Sequence, residues 1–176
     1  MMYTTTELKT ILESAYGKVC ERASQYGVTK SLSTVCVHYP TQHEKYKDTS
    51  KFCFADGDEY VFLCHSEGRS KDASIEYSTT NADEIVFYAL YYDIYHMAYE
   101  YVEREYELKQ RRRAMHSFVF ELYSCINEKA MKMAADDIMK QITELPYCAE
   151  YGWVTNLPAL EHLWYKNNIN KTYRYL

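Results

Sequence analysis

Glycine and proline are scarce in this chain, at 5 and 3 of 176 residues. That scarcity excludes a collagen-like repeat and leaves little room for long loops or a strand-dense barrel. It also argues against a cofactor fold built on glycine turns. No Gly-rich phosphate loop, Gly-x-Ser-x-Gly elbow or His-Glu-x-x-His pair is present. No stretch of 18 apolar residues occurs, and the run from Ile85 to Leu90 is far too short to cross a bilayer, so no membrane span is expected. The first residues, Met1-Met2-Tyr3-Thr4-Thr5-Thr6-Glu7, carry neither a basic n-region nor an apolar h-region. No signal peptide is expected there, and the expected compartment is the cytoplasm. Six cysteines are scattered without a Cys-x-x-Cys pair. In that compartment they read as reduced, small hydrophobes.

What is present is a globular composition. Hydrophobic residues make up 47% and charged residues 26% of the chain, enough apolar surface to drive folding as one domain over residues 1–176. The net charge of −5 is a poor footprint for a dedicated nucleic-acid binder and suits a partner of something basic. Tyrosine is in excess, 20 against 6 Phe and 2 Trp. Its ring supplies apolar area, and its hydroxyl seeks a partner in a core or an interface.

Periodicity predicts an α+β fold: an N-terminal helix, a small antiparallel β-meander, then three antiparallel helices packed on it. The first helix is expected from Thr4 to Tyr26, on the stripe Leu8, Ile11, Leu12, Ala15 and Val19. A hydroxyl among Thr4 to Thr6 would cap its start, and Gly27 would stop it. Strands are expected at Leu32 to Tyr39, Lys51 to Ala55, Glu59 to His65 and Ala73 to Ser78. Asp56-Gly57-Asp58 forms a hairpin turn and Glu67-Gly68-Arg69 a second turn. Helices then follow at Asn81 to Leu108, Arg113 to Asn127 and Lys129 to Leu145, the last ended by Pro146. Thr80 or Asn81 caps the first of these, with Asp83 and Glu84 in its first turn. Residues 147–176 form an aromatic C-terminal extension with a short helix at Pro158 to Tyr165.

The Asn81 to Leu108 helix is apolar around most of its circumference, which predicts a central position. One polar stripe breaks it: Asp93, His96, Glu100, Glu103 and Glu107 at spacings of three and four. One reading is an acid–base or metal site around His96 and Glu100. The other is a polar seam that is solvated or paired with bases of the next helix. Charge is blocked along this region, seven acids and one base from Asn81 to Leu108, then four bases from Lys109 to Arg113. These bases read either as helix-end stabilisation or as part of a recognition surface. Cys36 and His38, two apart on one strand, share a face and are a candidate zinc pair. Cys64 and His65 point to opposite faces and are not.

The stretch from Phe52 to Tyr147 resembles the immunity protein 63 family of bacterial polymorphic-toxin systems. The resemblance is carried by Glu59-Tyr60-Val61-Phe62-Leu63-Cys64-His65-Ser66-Glu67-Gly68 and by Ser78-Thr79-Thr80-Asn81-Ala82-Asp83-Glu84-Ile85. It continues with His96-Met97-Ala98-Tyr99-Glu100-Tyr101-Val102-Glu103, Arg111-Arg112, Phe120-Glu121-Leu122, Ile126-Asn127 and Leu145-Pro146-Tyr147. This chain departs from the family pattern in placing Gln110 before Arg111 and in having no glycine between Ser78 and Tyr147. The resemblance implies a non-catalytic protein that binds and blocks a cognate toxin domain, such as a basic nuclease. It implies no cofactor, no metal, no direct nucleic-acid or membrane contact, and a monomer or weak homodimer. The expected contact residues are Glu100, Glu103, Glu105 and Glu107, with Arg111, Arg112 and Arg113 fixing orientation. The alternatives from other classes are a small hydrolytic enzyme using His96 with Glu100 and a Tyr-rich oligomerisation module.

Overall fold

The structure is a computed structural model and describes residues 2–30, 32–41, 44, 51–64 and 74–144. Its elements run α1 (Thr5–Ser24), β1 (Val35–Cys36), β2 (Lys51–Asp56), β3 (Glu59–Cys64), β4 (Ser74–Thr79), α2 (Ala82–Glu105), α3 (Leu108–Ser124) and α4 (Glu128–Glu144). The class is α+β, as the periodicity predicts. Contacts divide the chain into two compact units, Met1–Gly17 with Lys30–Asp93, and Lys18–Thr29 with Ile94–Leu176.

The first unit is built on a sheet of order β1-β2-β3-β4. β2 and β3 form the expected hairpin, with Asp56 opposite Glu59 and Gly57 at φ +57° in the tight turn. A residue with a Cβ is strained at that angle, which is why Asp-Gly marks the turn in the sequence. β4 pairs antiparallel with β3 through an irregularity. Phe62 faces Tyr77 and Leu63 faces Ile75, so Glu76 is an extra residue in the register. The sheet departs from a pure meander at β1, a strand of two residues that pairs parallel with β2. The expected eight-residue strand from Leu32 is thus reduced to its centre. Residues on either side of that centre make other bonds. Ser33 and Thr34 bind the Asp93 carboxylate, and the His38 ring packs edge-on against Phe52.

Both faces of the β2–β3 hairpin are buried. Phe52 and Phe54 meet Val61 and Leu63 on one face, and Cys53, Tyr60, Phe62 and Cys64 are buried on the other. Each large side chain taken from water contributes about 1.5–3 kcal/mol. The start of α1 is tied to this sheet, since the Tyr3 amide donates to Tyr60 Oη at 2.7 Å and the Ala55 amide to Thr5 Oγ1 at 3.1 Å.

The helix ends follow local chemistry. Thr4 and Glu7 make a reciprocal capping box at the start of α1. Gly27, at φ +72°, closes its end. The Val28 amide reaches Ala23 O and the Gly27 amide reaches Ser24 O, the paired bonds of a Schellman motif. Asn81 Oδ1 accepts the Asp83 amide to start α2, with Glu84 returning to the Asn81 side chain.

The second unit holds the end of α1, the second half of α2, and α3 and α4. α3 and α4 pack together across a short connection, in which Asn127 Oδ1 accepts the Ala130 amide to begin α4. Asn127 is therefore the N-cap of α4 rather than the last residue of α3, which ends at Ser124. Phe118, Phe120, Leu122 and Tyr123 of α3 and Ala130, Ala134 and Ile138 of α4 are buried. Tyrosine serves this core as its chemistry predicts. Tyr26, Tyr101 and Phe118 form an edge-to-face and tilted cluster with centroids 4.5–5.5 Å apart, and Tyr26 Oη donates to Glu121 Oε1 at 2.6 Å.

The tail from 147, the turn at Glu67-Gly68-Arg69, and Ala73, His65 and Pro146 lie outside the described residues.

Candidate functional site

The acidic stripe read from the sequence does not stay together. Asp93 leaves it first. In its own unit its side chain is 1% exposed and accepts four bonds: Lys30 Nζ at 3.1 Å, Ser33 Oγ at 2.6 Å, the Thr34 amide at 3.0 Å and Thr34 Oγ1 at 2.6 Å. Burial alone would raise its pKa. The Ser33 and Thr34 hydrogen bonds and the Lys30 charge outweigh burial and hold it below the ordinary carboxylate range. This carboxylate anchors Lys30, Ser33 and Thr34 and is not available to a partner.

In the second unit, His96, Tyr99, Glu100 and Glu103 lie along one exposed face of α2. Tyr99 is 49% exposed, and its hydroxyl donates to Glu103 Oε1 at 3.2 Å. Among the described residues neither His96 nor Glu100 has a hydrogen-bond or ion-pair partner, so the i, i+4 pair has not joined into an acid–base couple. Glu105 turns elsewhere and holds Arg104 at 2.6 Å. Arg104 in turn donates to Tyr26 O at 2.7 Å and Gly27 O at 3.1 Å, serving the carbonyls at the end of α1.

The basic run is placed differently from the expectation. α2 stops at Glu105 rather than Leu108, Glu107 is extended (φ −65°, ψ 151°), and the bases occupy the first turns of α3. The run is therefore not at the C-terminus of the acidic helix. Arg111 and Arg112 act through direct hydrogen bonds rather than through the α2 dipole. Arg111 donates to Tyr106 O at 3.0 Å and Glu103 O at 3.1 Å, with its charge 4.0 Å from Glu103 Oε1. It satisfies carbonyls that the break in the helix releases. Arg112, one residue on, points inward, 5% exposed, and donates to Gln141 O at 3.0 Å. It is an interior residue, not a surface contact. Arg113 is half-buried. Of the seven expected contact residues, Glu100, Glu103 and Arg111 come together, while Glu105 is turned to Arg104 and Arg112 to the core.

Pattern reading missed a second polar group, around Arg112. His116 is fully buried, with Nε2 3.2 Å from Gln141 Oε1. Gln141 Nε2 donates to Tyr95 Oη at 2.6 Å and to Asp137 Oδ2 at 2.8 Å, and Tyr95 Oη donates to Asp137 Oδ2 at 3.1 Å. Burial, then the neighbouring Arg112 charge, drives the His116 pKa down to about 3 against the opposing Gln141 bond. The imidazole is thus neutral at physiological pH. What the group does is tie α2, α3 and α4 by hydrogen bonds. A signal was available: Arg112 with His116, and Asp137 with Gln141, are i, i+4 pairs on otherwise apolar helix faces.

Among the described residues the Cys36–His38 pair gathers no three-ligand set. His38 Nε2 lies 3.2 Å from Glu44 Oε1, and among the described residues no three His, Cys, Asp or Glu side chains are placed to hold a metal ion. Nor is any described helix long and apolar enough to cross a membrane. Comparison of the chain with family models, curated proteins and solved structures returns no match.

Proposed function

We propose that this chain is an immunity protein that binds a cognate toxin domain in the cytoplasm and blocks it by occupying its surface, one to one. The observation that carries the reading is the exposed face of α2 formed by His96, Tyr99, Glu100 and Glu103. Its Glu100 carboxylate has no intramolecular partner among the described residues. An aromatic ring between two exposed carboxylates, of which Glu103 also faces Arg111, suits a basic partner. The charge speeds encounter and the tyrosine supplies contact area at low entropic cost. The net charge of −5 works in the same direction over longer range. A basic nuclease domain is the partner class this chemistry fits. The reading includes no catalysis and no cofactor.

Growth rescue tests it. A host poisoned by a basic nuclease toxin domain, taken from a neighbouring reading frame if one encodes such a domain, should grow when the wild-type protein is co-expressed. It should fail to grow with the double variant Glu100→Lys, Glu103→Lys, expressed to the same level. No rescue by the wild type, or substrate turnover by the purified chain alone, would overturn the reading.

A further inference from the structure

We draw no further inference here: the strongest candidate, the buried polar cluster of Tyr95, Arg112, His116, Asp137 and Gln141 in the second unit, belongs to the site already described, where its hydrogen bonds hold α2, α3 and α4 together and leave no ligand chemistry to assign.

Discussion

Four donors converge on the Asp93 carboxylate, so removing it leaves Lys30, Ser33 and Thr34 facing an empty site. Asp93→Ala should lower stability by about 3–5 kcal/mol at neutral pH, read as a shift in urea midpoint. The folded pKa of Asp93 lies below its unfolded value. Its contribution is therefore complete above about pH 4 and fades as pH falls through the folded value. The gap between wild type and Asp93→Ala should narrow in strong acid; a gap independent of pH would show that the charge is not what holds Lys30, Ser33 and Thr34. His116 obeys the same sign at a higher pH. Its folded pKa of about 3 lies below the unfolded value of roughly 6.5. Stability is full above that pH and declines as acid protonates the unfolded chain first, by about 1.4 kcal/mol per pH unit in the steep part. Wild type should lose stability between pH 7 and pH 5, and His116→Leu should lose markedly less over the same interval. Parallel curves for the two proteins would refute the assignment.

Among the secondary-structure elements, the ends are the telling places. Gly27 sits at φ +72°, and a Cβ there would lie 3.2 Å from Arg104 Nη2. Gly27→Ala should cost about 1–2 kcal/mol from the left-handed backbone alone. Thermal unfolding checks this, and an unchanged midpoint would mean that the α1 end relaxes freely. The caps at Thr4, Gly27 and Asn81 were readable because each is made by residues within a few positions of one another. The break between α2 and α3 was not. No glycine or proline lies between Ser78 and Leu145. The break at Glu107 is supported by Arg111 folding back onto Glu103 O and Tyr106 O, a bond with no signature in periodicity. β1 is shorter than its composition predicts for a related reason. Its flanks have strand-like composition, but their hydroxyls and rings found better partners than a ladder provides.

Taken across the chain, exposed charge bears on association and buried charge on folding. Glu100→Lys with Glu103→Lys should leave the unfolding free energy within about 0.5 kcal/mol of wild type, since both side chains are exposed. Against the proposed toxin partner the same change should reduce the association rate at low salt by roughly tenfold or more, with the difference shrinking as salt rises. Stopped-flow binding at two ionic strengths measures both. If the rate is indifferent to charge and salt, the α2 face is not where the partner lands.

Composition, turn chemistry and the 2 and 3.6 periods settled the α+β class, the Gly57 hairpin and the starts of α1, α2 and α4, because those features depend on neighbours in the chain. Which polar side chains face inward was decided by contacts between residues far apart. Asp93 meets Lys30 across 63 positions, and His116 meets Gln141 across 25. Asp93 and Glu100 look alike on a helical wheel, and so do Arg111 and Arg112 as consecutive bases. Asp93 and Arg112 are buried because donors or carbonyls from another segment meet their charges there, whereas Glu100 stays in water, where hydration satisfies it, and Arg111 stays part-exposed on the carbonyls of Glu103 and Tyr106.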